Sequence, residues 1–504
     1  MAAFRRVLVA NRGEIALRII RACREEGIEA VAVYSEADRL APHVRAADAA
    51  VLLGPAPAPE SYLDIEKVVA AALAAGCQAV HPGYGFLSER APFAEAVEHA
   101  GLVFIGPPPA AIRAMGDKTE ARRRMQAAGV PVVPGLVAPL ADAKTARKEA
   151  DRLGYPVLLK AAAGGGGKGM RLVRAGGEIE SAFLAAKSEA KKAFGDGAVY
   201  LERYLERPRH IEIQVLADAH GRVVALGERE CSVQRRHQKL IEESPSPAVS
   251  PALRRRMGEA ATAAAGAVGY RGAGTIEFLL APSGEYYFLE MNTRIQVEHP
   301  VTELVYGVDL VREQLSIATG KPMRVAAGLL NPRGHAIECR ITAEDPFNDF
   351  LPQTGVVEYL RVPAGPGVRW DGGVEAGNEV TLFYDPLLAK LIVWGETRDA
   401  ALARMRRALR ELVVVGLPTS QAFHLRVLDE PSFRRGELDI TYLERLGPEL
   451  LAAQPTEARV RALAVAAALL TDEERAAATP RAANGAGHGV SPWEITGRRE
   501  SLRE

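Results

Sequence analysis

Apolar and polar positions repeat with two periods from the start of the chain. Val7 to Ala10 is a short apolar run, Asn11-Arg12-Gly13 turns the chain, and Ile15 to Arg24 is apolar along one helical face and stops near Gly27. Ala30 to Tyr34 is apolar again. Strand-length apolar runs either side of an amphipathic helix predict a βαβ opening. The alternation continues to Ile105, where Gly106 and Pro107-Pro108-Pro109 break it. Inside it, His81 to Ser88 reads as an ordered loop at a strand end, where open parallel sheets place ligands. No GxGxxG follows the first strand, so little supports a dinucleotide site.

From about 133 to 205 the pattern changes. Pro156 to Lys160 and Met170 to Arg174 are β-type runs around Ala161-Ala-Ala-Gly-Gly-Gly-Gly-Lys-Gly169, which predicts a strand–loop–strand flap. The GxxxxGK[ST] phosphate loop fails, since Ala162 and Gly169 stand at two of its fixed positions. Four successive glycines still let backbone N–H groups approach phosphate oxygens, and Lys160 and Lys168 bracket them, which favours a phosphate lid over a surface linker.

Residues from about 206 to 447 are richest in strands, including 210–216 and 223–226. Thr275 to Leu280 and Glu285 to Met291 flank Pro282-Ser283-Gly284, a hairpin signal. Folding between 283 and 284 sets Glu277 opposite Glu290, with Asn292 following Glu290 on the same face. Facing carboxylates repel. A divalent cation removes that penalty, and two carboxylates with an amide oxygen suit magnesium or manganese. The hairpin alone is equally consistent with two solvent-facing glutamates on an edge strand.

Bulk properties narrow the class. A chain of 504 residues exceeds one compact core. Lys+Arg and Asp+Glu balance at 63 each, which gives no support to nucleic-acid or anionic-membrane binding as a global property. Four dispersed cysteines without CxxC spacing fit a reducing compartment, and no apolar run is long enough to span a membrane or serve as a secretory h-region; the expected location is the cytoplasm. The segment 448–504 changes character, with an Ala-rich amphipathic helix expected over 460–478 and a flexible stretch over 484–489.

Basic and polar residues cluster just before the hairpin: Arg229, Gln234, Arg235, Arg236, His237 and Lys239. After it, Arg294, Gln296 and Glu298 alternate, so an extended segment would point all three one way. A cation, an amide and a carboxylate converging on one spot could hold a small oxyanion and remove its proton; a solvated charged strand is the alternative.

Six strings together resemble biotin carboxylases: Asn11 to Ala16, His81 to Glu89, Met115 to Lys118, the Gly164 to Gly169 flap, Arg229 to Lys239 and Glu290 to Pro300. The resemblance runs over about residues 4–447 in the family's order. It implies an α/β and α+β multidomain protein of ATP-grasp type. A Rossmann-like N-terminal domain (1–117) would precede a linker and lid with the Gly-rich flap (118–205). An ATP-grasp core with a β-rich C-terminal domain (206–447) and a tail without a biotinyl domain (448–504) would follow.

By the same resemblance, ATP would be bound by Lys118, Lys160, Gly164, Gly165, Gly166, Gly167, Glu202, Arg203, Leu205, His210, Gln234 and His237, with Glu277 and Glu290. Arg203 and Lys168 stand where the family often has lysine and arginine respectively. Glu277, Glu290 and Asn292 match the ligands of two magnesium or manganese ions. Lys239, Arg294, Gln296, Val297 and Glu298 match a bicarbonate site, and Arg340 the arginine at biotin's ureido oxygen. Glu298 would be the general base and Lys239, Arg294 and Arg340 its catalytic companions.

Biotin is implied as a substrate on a separate carrier protein, because the sequence has no Met-Lys-Met and its last lysine is Lys390. Carrier and carboxyltransferase subunits are therefore the implied partners, with the 460–478 helix or the Trp493 segment as a docking point. The family also implies a homodimer through the helix bearing Arg18, Arg21 and Glu25, which on sequence grounds are only its polar face. A carboxylate–amine ligase and a non-catalytic nucleotide-binding subunit are the rival readings. The final carboxyl acceptor is not written in these residues.

Overall fold

The computed structural model describes residues 4–136, 139–161, 170–194, 197–325, 331–452, 465–468 and 470–471. It divides into Met1–Leu451 and Ala452–Glu504. In the second unit residues 465–468 and 470–471 are helical. The rest of the expected 460–478 helix, the stretch 484–489 and Trp493 lie outside the described residues, as do Gly164, Gly165, Gly166, Gly167 and Lys168.

The first unit opens with the expected βαβ: strand Arg6–Val9, helix Gly13–Glu25, strand Glu29–Ser35. Among the described residues these strands join Ala49–Gly54, Ala79–His81 and Val103–Phe104 in a five-stranded parallel sheet, with the first strand at its centre. The chain winds to one side of that strand and then to the other. The carboxyl ends of Arg6–Val9 and Ala79–His81 therefore border the topological switch point. No phosphate loop fills it. Asn11 Nδ2 donates to the carbonyls of Pro82 at 2.8 Å and Tyr84 at 2.7 Å. Gly83 sits at φ +62°, and a Cβ there would meet Asn11 Nδ2 at 2.9 Å, so glycine lets the two loops close. The loop thus pinned carries Tyr84 and Glu89 towards the larger sheet.

That sheet is antiparallel throughout and, among the described residues, has eight strands. Their order is Tyr286–Asn292, Gly272–Leu280, Arg209–Ala217, Val223–Arg235, Gln238–Ser244, His335–Thr342, Leu387–Gly395 and Val368–Gly372. The strand Arg209–Ala217 shows how it is built. Ile211, Ile213 and Val215 pack with Ile276 and Phe278 against Met257, Ala261 and Ala264 of helix Pro251–Ala267. The alternate residues His210, Glu212 and Gln214 point to the other face and are buried too. An alternation that normally means one wet face here means two covered ones.

A smaller antiparallel sheet orders Met170–Val173, Val157–Ala161 and Val199–Arg203, backed by helices Ala143–Leu153 and Ile179–Phe194. The strands either side of 162–169 pair directly, as the strand–loop–strand reading requires.

Candidate active site

The hairpin forms with Glu277 opposite Glu290 and Thr275 opposite Asn292, but not by the symmetric fold expected. Phe278 pairs with Phe288 and Leu280 with Tyr286, which centres the turn on Ser283 rather than between 283 and 284. Aromatic packing fixes that inner register: Phe278 and Tyr286 meet edge-on with ring centroids 5.4 Å apart. A register shift between Glu277 and Phe278, with Leu289 as the extra residue, then brings Glu290 opposite Glu277. The bulge lets Phe288 and Met291 both reach the core while Glu290 stays outside it.

Glu277 is the hub. Its Oε1 accepts from Lys239 Nζ at 2.9 Å, Asn292 Nδ2 at 2.8 Å and Gln296 Nε2 at 2.9 Å, and its Oε2 lies 2.9 Å from His210 Nε2. Burial pushes its carboxyl up, but Lys239 and His210 outweigh burial and hold it well below the usual range. Glu290 goes the other way, raised by burial and by Glu277, with Lys118, His210 and Lys239 opposing. A like-charged cross-strand pair with oxygen donors is what a bound divalent cation would relieve, so the donor set fits magnesium or manganese.

Lys239 Nζ also donates to Glu212 at 2.6 Å and to Glu298 at 2.7 Å. Burial works against its charge, yet the three carboxylates raise its pKa well above the ordinary lysine value. The other oxygen of Glu298 accepts from Arg340 Nη2 at 3.0 Å, and Arg340 Nε donates to Glu242 at 2.6 Å. Burial presses the Glu298 carboxyl upward, while Lys239, Arg340 and Arg229 hold it well below the usual range.

Arg229 is fully buried and braces the floor. It donates to Glu212 at 2.5 Å, Gln214 at 2.6 Å, Thr302 at 2.9 Å, Thr275 at 3.0 Å and Gln296 Oε1 at 2.8 Å. Removing one partner would strand a buried charge, so the cluster holds as a unit.

The three alternating residues converge by a route different from the expected extended strand. The strand ends at Asn292, Arg294 lies in a bend, and Val297 and Glu298 form a turn that opens helix His299–Tyr306. Arg294 reaches Asn292 Oδ1 at 3.0 Å and Glu89 at 2.9 Å, Gln296 bridges Glu277 and Arg229, and Glu298 lies between Lys239 and Arg340. The cause is Pro300 at the helix start and His299, whose Nδ1 lies 2.8 Å from the Gln296 carbonyl.

The remaining expected residues sit around this centre. On the lid sheet Lys160 Nζ donates to Glu202 at 2.5 Å, and Arg122 pairs with the same carboxylate. Arg203 is exposed at the strand end and Leu205 is half-buried beyond it. Lys118 opens helix Lys118–Ala127 behind its cap Asp117. Gln234 pairs with Lys239 and Arg235 with Gln238 across a tight turn whose central residues, Arg236 and His237, both have positive φ, +49° and +67°. That turn normally asks for Asn-Gly, so its sequence did not announce it. Sequence reasoning did not single out Glu212, Glu242 or Glu89. Glu212 and Glu242 look like polar faces of strands; only the covering layer makes them part of the site.

Carboxylates that face one another across a hairpin, basic residues opposite them and a separate three-stranded sheet define an ATP-dependent ligase of ATP-grasp architecture. The family models agree. "Biotin carboxylase, N-terminal domain" matches residues 3–112, "Carbamoyl-phosphate synthase L chain, ATP binding domain" 117–326 and "Biotin carboxylase C-terminal domain" 338–445. The chain is 54% identical over 443 residues to a biotin carboxylase of Nostoc, covering 88% of this chain and 99% of the relative. It is 53% identical over 442 residues to one of the subunits of pyruvate carboxylase from Methanothermobacter thermautotrophicus, covering 88% and 90%. Among solved structures it resembles the biotin carboxylase domain dimer of Hydrogenobacter thermophilus 2-oxoglutarate carboxylase with MgADP, ADP and bicarbonate (TM-score 0.83, 46% identity, 90% of this chain and 100% of that one). The chain belongs to the biotin carboxylase family.

Proposed function

We propose that this chain carboxylates carrier-bound biotin with bicarbonate and ATP through carboxyphosphate, as the first half-reaction of a multi-subunit acetyl-CoA or other acyl-CoA carboxylase. The observation that carries this is the Glu298 carboxylate held between Lys239 at 2.7 Å and Arg340 at 3.0 Å, next to the Glu277–Glu290 pair.

Bicarbonate must lose a proton to attack the γ-phosphate. Lys239 and Arg294 offer positive charge to the anion, and Glu298 takes its proton. An entering anion competes for Lys239, which removes charge support from Glu298 and makes it a stronger base when one is needed. Glu277, Glu290 and Asn292 would hold magnesium, which would supply charge neutralisation at the phosphates. Lys160 approaches the phosphates from the lid sheet and Lys118 from the start of helix Lys118–Ala127, His210, Gln234 and His237 border them, and the lid excludes water from an intermediate that hydrolyses readily. Carboxyphosphate gives CO2 and phosphate, the phosphate takes the N1′ proton of biotin, and Arg340 steadies the resulting enolate oxygen while N1′ attacks CO2.

The 504 residues hold no Met-Lys-Met, which supports presentation of biotin from outside them. The working division is 1–117 for the Rossmann-like part, 118–205 for linker and lid, 206–447 for core and β-rich domain, and 448–504 for a partner-docking tail. Among the described residues no helix is long and apolar enough to cross a membrane; cytoplasmic action is part of the proposal. Phosphate release from ATP tests the reading. Dependence on bicarbonate with stimulation by free biotin supports it. Release that ignores both, or that needs an amine acceptor, overturns it.

A further inference from the structure

Lys390 is the last lysine of the chain and one of its most deeply buried side chains, with no exposed surface. It lies on strand Leu387–Gly395, opposite Arg340 on one neighbour and Asp371 on the other. Its Nζ donates to the Val297 carbonyl at 2.9 Å and lies 3.0 Å from Glu14 Oε1 and 3.9 Å from Asp371 Oδ2. Neither acid is its alone. Asp371 is gripped by Arg369 at 2.9 and 2.7 Å, and Tyr84 Oη also donates to Glu14 Oε1. Burying an ammonium costs several kcal/mol unless its partners are good. A charge retained here at that cost, with a backbone carbonyl of the catalytic turn as its shortest contact, serves more than an ion pair.

We propose that Lys390 is a positioning residue for the Gln296–Glu298 turn. The peptide plane between Val297 and Glu298 is rigid, so fixing the Val297 oxygen fixes the rotation from which the Glu298 side chain springs. With the Gln296 carbonyl held by His299 Nδ1 at 2.8 Å, both carbonyls ahead of Glu298 are tied down. Lys390 thereby carries two constraints into the turn. One comes from the C-terminal strand that faces Arg340. The other comes from Glu14 and Tyr84 of the N-terminal domain. The catalytic consequence rests on the function proposed above; the geometric one does not.

The test compares the full-length protein with Lys390→Met and, more gently, Glu14→Gln, which loses the charge at the far end of Lys390 but not its shape. Amide hydrogen exchange of the ligand-free proteins should show 296–299 exchanging about tenfold faster or more in Lys390→Met, and less so in Glu14→Gln, with Arg209–Ala217 unchanged. In bicarbonate-dependent ATP cleavage, Lys390→Met should lower kcat about tenfold or more while KM for ATP stays within about twofold of the unmodified protein. A folded Lys390→Met with unchanged exchange at the turn overturns the proposal. If that variant does not fold, unchanged exchange in Glu14→Gln overturns it instead. A parallel loss of ATP affinity and turnover also overturns it, since that marks a general structural role. A wild-type protein without bicarbonate-dependent cleavage sinks the function reading alone, because the exchange comparison still decides the position of the turn.

Discussion

At the scale of single residues the site is a charge balance. Glu298 has two cations on it and Lys239 has three carboxylates, so each is strongly ionised before any ligand arrives. Glu298→Gln keeps the shape and loses the proposed base. It should leave KM for ATP within about twofold and slow bicarbonate-dependent ATP cleavage by about a hundredfold or more, the usual scale for a lost general base; unchanged turnover would remove Glu298 from the chemistry. Arg340 touches Glu298 but lies on the Glu242 side of it. Arg340→Ala should therefore reduce biotin carboxylation about tenfold more than bicarbonate-dependent ATP cleavage, with equal losses arguing against contact with biotin. The sequence made these residues legible because they stand in long motif strings. It left Glu212 obscure because a glutamate between two isoleucines reads as a solvent face until the opposite layer is known.

At the scale of elements, packing corrected the patterns. Aromatic contacts centred the hairpin on Ser283 and a bulge at Leu289 restored the acidic pair, a detail period-two counting cannot contain. The segment 294–298 reads as extended in the sequence and is a bend and turn, because the helix that follows begins at His299. Strand Gln238–Ser244 shows how an element is anchored. Glu243 holds His335 at 2.6 Å and Arg398 at 2.7 Å, and so joins this strand to His335–Thr342 and to helix Arg398–Glu411. Burial raises its carboxyl, but His335 and Arg398 outweigh burial and depress it from 4.5 to about 2. A depressed carboxylate contributes stability that is fully present above the unfolded value and is lost as pH falls through the folded one. Glu243→Gln should then cost about 3–5 kcal/mol near neutrality, and the wild-type advantage should fade between about pH 4.5 and 2. Denaturant unfolding of both proteins across that window checks it; a difference independent of pH would show that the charge is not the cause.

At the scale of the molecule, the eight-stranded sheet lies wholly within the strand-rich span 206–447 and puts Lys239, Glu277 and Arg340 on one continuous surface. Helix Gly13–Glu25 has a mixed role. Arg18 is not on a free polar face: it is buried, 3.0 Å from Glu303 and 2.6 Å from Asp309, so it joins the N-terminal domain to the helices after the Gln296–Glu298 turn. Arg21 and Glu25 are exposed on the same helix. If that helix is the dimer contact, Arg21→Glu should lower the dimer fraction seen by sedimentation without lowering the thermal stability of the chain, since an exposed side chain contributes little to its own fold. An unchanged dimer would place the contact elsewhere.

The sequence by itself determined the local pieces: the βαβ opening, the strands flanking the glycine-rich segment, the acidic hairpin, and the side-chain types proposed to bind and deprotonate. These follow from short-range periodicity and from side-chain type, which a string of residues contains in full. Only the tertiary structure decided which polar strand faces are covered, how the bulge and the turn aim Glu290 and Glu298, and that Glu14, Glu212, Glu242 and Lys390 support the site. Those depend on what lies across a sheet or beneath a loop from residues far away in the chain, and burial of a charge is a property of its neighbours rather than of the residue.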